Sequence, residues 1–114
     1  MEQYKLILRR LALRDDSYIE ALLGEESANA MVAGIDTRSH ALLRIAALIA
    51  VDAAPPSYMS AVEAGLDAGA TVDEFVGTLI AVMPIVGVPR VVCAAPKLGL
   101  ALGYDVSEAL ELVE

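Results

Sequence analysis

Two apolar runs with helical periodicity, separated by a Gly-Val-Pro break, occupy residues 70–103 and constrain the fold more than any other feature. Thr71 and Glu74 have the spacing of a capping box, in which a hydroxyl and a carboxylate bind backbone N–H groups at the start of a helix. The first run therefore predicts a helix over 71–86. The second run predicts another over 88–102. No alternation typical of a β-strand is long enough to compete with this pattern.

The rest of the chain shows the same helical periodicity, interrupted by residues that favour turns. Helices are predicted at about 2–13, 15–23, 25–33, 37–52 and 57–68, with a short terminal turn after Asp105. Two consecutive prolines are expected to interrupt the helical structure before the helix at 57–68. The inward face of that helix should carry Met59, Val62 and Leu66. The sequence therefore predicts an all-α fold, a single-domain bundle of about six helices.

The composition favours self-association. Hydrophobic residues make up 57% of the 114 residues and charged residues 21%. A small domain leaves much of its surface exposed, and this chain has few polar residues to cover it, so a homo-oligomer is expected. A membrane span is not expected, because the longest charge-free run, 75–89, has 15 residues and contains two prolines. No leader sequence is recognisable, and a cytoplasmic location is expected.

The charge of the chain is acidic overall but unevenly distributed. A formal net charge of −8 argues against a nucleic-acid partner. Residues 1–14 carry four cations and one acid, whereas residues 15–114 carry four cations and fifteen acids. The basic start has two interpretations. It contacts an anion or a membrane surface, or it is a solvated helix face that docks on the acidic remainder or on a neighbouring subunit.

Three segments resemble, in their order and spacing, motifs of the carboxymuconolactone decarboxylase family. Residues 71–75, TVDEF, resemble its T-x-x-E-hydrophobic helix start, and residues 81–89, AVMPIVGVP, resemble its A-x-x-P-x-x-G-x-P turn. Residues 35–48, IDTRSHALLRIAAL, are similar to its D-x-R-T-R-x-L helix. The resemblance covers about residues 33–103. It implies an alkylhydroperoxidase D-like fold and assembly into trimers or hexamers.

The redox-active branch of that family carries a C-x-x-C-x-x-x-H motif, which this chain lacks. The cysteine positions of the motif correspond to Ala54 and Ser57 and its histidine to Ala61, and a register shifted by one residue supplies no thiol or imidazole either. Cys93 is the only cysteine and lies in an apolar stretch, so it is expected to be a small core residue. Two-cysteine peroxidase activity is therefore not expected.

The decarboxylase branch acts on a lactone bearing carboxylates, and it usually has a histidine where this chain has Ala61. Such a substrate requires cations to hold the carboxylate and a proton donor for the carbanion. His40 is the only imidazole and lies one helical turn before Arg44. We predict His40 as catalytic and Arg44, Tyr58 and Arg90 as substrate-binding, with no metal and no cofactor.

Alternatives remain for these residues. His40 is equally interpreted as a surface residue in a first turn, with Arg44 paired to Glu63 or Asp67. Arg90, in the first turn of its helix, opposes the helix dipole and is expected to meet a bound anion, an intersubunit salt bridge or solvent. Two functions therefore stay open. One is a carboxymuconolactone decarboxylase-like protein that binds or decarboxylates a small carboxylate or lactone in an intersubunit pocket. The other is a non-catalytic oligomeric structural or interaction protein that keeps the fold without the site.

Overall fold

The computed structural model describes residues 2–24 and 26–111, and within them the chain forms eight α-helices and no strand. The helices are α1 (Gln3–Ala12), α2 (Asp16–Leu22), α3 (Glu26–Ala33), α4 (Thr37–Ala50), α5 (Pro55–Asp67), α6 (Val72–Val86), α7 (Val88–Ala101) and α8 (Val106–Glu111). The predicted all-α class is confirmed. These eight helices exceed the expected number of about six, and the short terminal turn predicted after Asp105 is the complete helix α8. Glu25, the predicted start of the third helix, lies outside the described residues.

The helices group into two units, one up to Asp36 and one from Thr37 onward. The first unit contains α1 to α3. Asp15 caps α2 by accepting a hydrogen bond from the Tyr18 N–H at 3.3 Å, and the Asn29 amide donates to the Leu22 carbonyl at 2.9 Å. No residue of α1 is buried. The prediction of a single domain stays a prediction.

The second unit is built around four long helices. Both α4 and α7 pack against α5 and α6 and against each other, and α8 packs on α7. The largest fully buried side chains form the centre of this bundle: Ile45, Ile49, Tyr58, Phe75 and Leu98. No described helix is long and apolar enough to cross a membrane.

A glycine on α5 makes room for the largest apolar ring of this core. A Cβ atom added at Gly65 would lie 2.6 Å from Cζ of Phe75 and 3.3 Å from Cβ of Ala41. Real Cβ atoms do not approach other atoms that closely, so the ring of Phe75 occupies the space that a larger residue at 65 would need. Phe75 of α6 thus packs on α5 at Gly65, and Ala41 of α4 lies next to the same glycine.

The start of α6 has the predicted capping box. The Thr71 hydroxyl accepts a hydrogen bond from the Glu74 N–H at 3.1 Å, and the Glu74 carboxylate accepts one from the Thr71 N–H at 2.9 Å. Arg38, in the first turn of α4, also donates two hydrogen bonds to the Glu74 carboxylate. The pKa of Glu74 is lowered, chiefly by the hydrogen bond from Arg38 and then by the one from Thr71.

Two predictions about α5 are wrong. The helix begins at Pro55 and not at residue 57, because the first turn of a helix leaves its N–H groups unbonded and prolines at N1 and N2 lose nothing there. Its buried face is Tyr58, Ala61, Val62 and Gly65, whereas Met59 is 58% exposed and Leu66 47% exposed. Only Val62 of the predicted inward residues is buried, because close packing on α4 and α7 selects the face with small residues.

Candidate functional site

The candidate site begins at Asp52, which ends α4 in an unusual conformation. Its φ is +55°, in the left-handed region that glycine normally occupies after a helix. The Ala53 N–H bonds to the Leu48 carbonyl at 3.0 Å and the Asp52 N–H to the Ile49 carbonyl at 3.3 Å, which together close the helix end. A left-handed residue with a Cβ costs roughly 1–2 kcal/mol, and aspartate tolerates it better than most. The carboxylate is therefore held at a position where glycine would be less strained.

Two cations from α7 face the Asp52 carboxylate. The Lys97 ammonium donates to Oδ1 of Asp52 at 3.0 Å and to the Ala53 carbonyl at 2.9 Å. Nη1 of Arg90 lies 3.4 Å from Oδ2 of the same carboxylate. Lys97 also lies at the negative, C-terminal end of the α4 dipole, where a cation is stabilising. These contacts fix the end of α4 on α7.

The ion pairs change the acidity of Asp52. Its pKa is lowered from the usual value of 3.8, chiefly by the hydrogen bond from Lys97, then by the charge of Lys97, and to a smaller extent by Arg90. Asp52 is therefore ionised at neutral pH. Because two cations meet one carboxylate, the local charge is positive.

Tyr58, in the first turn of α5, is fully buried beside this group. Among the described residues its hydroxyl has no hydrogen-bond partner. Burial raises the pKa of Tyr58, and the negative charge of Asp52 raises it further. The hydroxyl is thus a protonated donor that lacks an acceptor in the described chain. Asp52, Tyr58, Arg90 and Lys97 are referred to below as the Asp52 cluster.

The four residues predicted for the site divide into two groups. Tyr58 and Arg90 belong to the Asp52 cluster: Arg90 forms an ion pair with Asp52, and the charge of Asp52 acts on Tyr58. Arg44 instead donates a hydrogen bond from Nη2 to Oγ of Ser60 on α5 at 3.3 Å. At 1.5 Å per residue, Arg44 lies about 12 Å and His40 about 18 Å before Asp52 along the helix axis. His40 is partly exposed in the first turn of α4. The roles predicted for these residues stay predictions.

Arg90 pairs with Asp52 of its own chain while its side chain stays 47% exposed, so the alternatives of a bound anion and of solvent both stay open. One further expectation is corrected by the structure. Cys93 is exposed, although it was expected in the core. The core face of α7 is formed by Val91, Ala94 and Leu98, and Cys93 falls between them on the outside of the helix.

Sequence reasoning missed two members of the cluster, Asp52 and Lys97. They are 45 residues apart, and no local pattern connects them. The one available signal was that Lys97 is among only four cations after residue 14.

Within the described residues no metal centre adds to the interpretation of this site, and no similarity to a known protein does either. Within residues 2–24 and 26–111, no group of three or more His, Cys, Asp or Glu side chains could hold a metal ion. Comparisons with models of protein families, with curated proteins and with solved structures find no match. The interpretation of the site therefore depends on its own chemistry.

Proposed function

We propose that this chain binds a small carboxylate at the Asp52 cluster, as a carboxymuconolactone decarboxylase-like protein with an alkylhydroperoxidase D-like fold. The observation that carries the proposal is the buried Tyr58 hydroxyl without an acceptor. A buried hydroxyl without a partner costs about 1–3 kcal/mol. A ligand oxygen that accepts its hydrogen bond would remove that cost, provided that the side chains covering this buried hydroxyl move aside to admit it.

Arg90 supplies the charge that selects an anion. Its guanidinium side chain is 47% exposed, and the 3.4 Å to Asp52 is longer than the roughly 2.7–2.9 Å typical of a charge-assisted hydrogen bond. A guanidinium has five N–H donors in a planar fork that matches a carboxylate. Lys97 meanwhile neutralises Asp52 through the shorter contact. Arg90 can therefore bind a second carboxylate without leaving Asp52 unpaired.

Decarboxylation would require a proton donor in addition to binding. Loss of CO₂ from a bound acid leaves a carbanion that must receive a proton. At this cluster the proton would come from Tyr58, whose raised pKa keeps it protonated, because His40 lies about 18 Å away along the axis of α4. Binding a carboxylate requires the hydrogen bond from Tyr58 and the charge of Arg90 but no proton transfer, and binding is the function proposed.

Calorimetric titration tests this function. We expect at least one of three small carboxylates, acetate, pyruvate and 4-oxopentanoate, to bind. Acetamide, which has no charge, should not bind. Loss of one hydrogen bond in Tyr58→Phe should weaken binding about 2- to 12-fold, by the usual 0.5–1.5 kcal/mol. Arg90→Gln should weaken it at least as much. Arg38→Gln is the matched control, because Arg38 pairs with Glu74. Binding that is unchanged in both cluster variants would contradict the proposal.

A second candidate, self-association, is favoured by the exposed apolar surface. The large hydrophobic residues that are more than 40% exposed include Tyr4, Leu8, Val76, Ile80, Ile85, Val92 and Leu100. So much exposed apolar surface in a small chain is typical of an interface. We expect a homo-oligomer, and the family resemblance implies a trimer or a hexamer. Sedimentation equilibrium at micromolar concentration tests it, and a 12.0 kDa particle would contradict it.

A further inference from the structure

An apolar groove lies between α6, α7 and α8. It is a cavity of about 360 Å³ lined by Val72 and Val76 of α6, Leu98 and Leu102 of α7, and Tyr104 and Val106 near α8. Val72, Val76 and Tyr104 are each more than 40% exposed, so the groove opens to solvent in the single chain. Its volume suits inserted side chains more than a whole helix. We refer to it as the α8 groove.

The charges around the α8 groove have one sign. Asp73 follows a lining residue of α6, and Asp105 and Glu108 follow Tyr104 and Val106. All three acids are exposed, and residues 70–89 and 98–111 contain no lysine or arginine. An apolar partner with cations beside its apolar residues would fit this groove, because unlike charges at a rim set register and steer association.

Helix α1 has those properties. Tyr4, Leu8 and Leu11 follow the i, i+4, i+7 spacing of one helix face, and each is more than 40% exposed. Helix α1 contains Lys5, Arg9 and Arg10 and no acid. At 100° per residue, Lys5 and Arg10 lie on opposite sides of this apolar face. The helix has ten residues, or about 15 Å, which is long enough to lie across the groove.

We infer that α1 of one subunit docks in the α8 groove of a second copy, with Tyr4, Leu8 and Leu11 inserted and the basic residues facing the acidic rim. The inference rests on the proposed self-association and names its surfaces. In a two-fold arrangement each chain gives one helix and receives one, so the contact occurs twice. Because the contact occurs twice, the surface area that two ten-residue helices bury together comes closer to the roughly 1,200–2,000 Å² buried in a stable interface.

A charge exchange tests the inference. Chains with Lys5→Glu and Arg9→Glu should associate at least tenfold more weakly than wild type, and so should chains with Asp73→Lys and Glu108→Lys. Asp105 is left intact because it caps α8 by accepting a hydrogen bond from the Glu108 N–H. Mixing the two variants should restore association, since each helix then meets a groove of opposite charge. A monomeric wild type would overturn the self-association itself. An oligomeric wild type that neither variant weakens would overturn only the docking.

Cross-linking distinguishes a second copy from the same chain. In a Cys93→Ser background, chains with Leu8→Cys are mixed with chains with Val76→Cys and treated with a short bismaleimide. We expect a linked dimer. Met59→Cys in place of Val76→Cys is the matched control, because Met59 is similarly exposed on α5, outside the groove, and should give little product. A chain that carries both Leu8→Cys and Val76→Cys is treated in the same way. If this chain is linked internally and the mixture gives no linked dimer, the second-copy inference is overturned.

Discussion

The contact between Gly65 and Phe75 gives a sharp test of the core that holds the Asp52 cluster. We expect Gly65→Ala to destabilise the protein. The new Cβ would lie 2.6 Å and 2.9 Å from two ring atoms of Phe75, which is fully buried and cannot move without displacing its neighbours. Overpacking of this kind costs typically about 1–3 kcal/mol. The higher helix propensity of alanine returns about 0.8–1 kcal/mol, so the net loss should be up to about 2 kcal/mol.

Gly77 is the matched control on α6. It also lies inside a helix, but an added Cβ there would meet nothing within 4 Å. Gly77→Ala should therefore stabilise the protein by up to about 1 kcal/mol, through helix propensity alone. At about 4 °C per kcal/mol for a chain of this size, the two variants should differ in Tm by up to roughly 12 °C. Urea and thermal unfolding followed by circular dichroism measure both values.

A double-mutant cycle identifies the cause. Combined with Phe75→Leu, the Gly65→Ala change should cost less than it does in wild type, because the smaller side chain vacates the space near residue 65. The packing account would be refuted if Gly65→Ala stabilised the protein as much as Gly77→Ala does. It would also fail if the cost of Gly65→Ala were unchanged by Phe75→Leu, since the strain would then come from elsewhere.

Three other results follow from the site. Without ligand, Tyr58→Phe should raise the free energy of unfolding by about 1 kcal/mol, because it removes a buried hydroxyl without a partner; a loss of stability in urea would mean that the hydroxyl is satisfied. Since the pKa of Asp52 is lowered in the folded protein, its contribution to stability is present above its ordinary pKa of 3.8 and is lost as pH falls through the folded value. The free energy of unfolding of Asp52→Asn should therefore depend less on pH below about pH 4 than that of wild type. Cys93, being exposed, should react stoichiometrically with a disulfide reagent in the folded protein, and protection until unfolding would contradict its placement.

Local patterns in the sequence predict much of this fold. The Thr71–Glu74 capping box could be identified because its two side chains are three residues apart and bond each other's backbone. The ends of α1 and α6 follow the predicted bounds within a residue or so for the same reason, since end signals are local.

Features that depend on packing could not be read from the sequence. Large apolar residues lie on both the buried and the exposed side of α5, and which side is buried depends on how α4 and α7 pack on it. The larger Met59 and Leu66 therefore suggested the wrong face. The Asp52 cluster depends on the end of α4 meeting α7 across 45 residues. Its members are ordinary surface residue types, and only the bundle brings them together.

The most direct test of the central claim is whether a bound carboxylate reaches Tyr58. The chain has four tyrosines, so a protein labelled with ¹³C at tyrosine Cζ gives resonances for Tyr4, Tyr18, Tyr58 and Tyr104 in one spectrum. Titration with 4-oxopentanoate, pyruvate or acetate should shift the Tyr58 resonance in a saturable way and leave the other three as internal controls. In Arg90→Gln the midpoint of that titration should move to higher concentrations of the acid. A Tyr58 resonance that stays unchanged at saturating concentrations of all three acids would contradict the account.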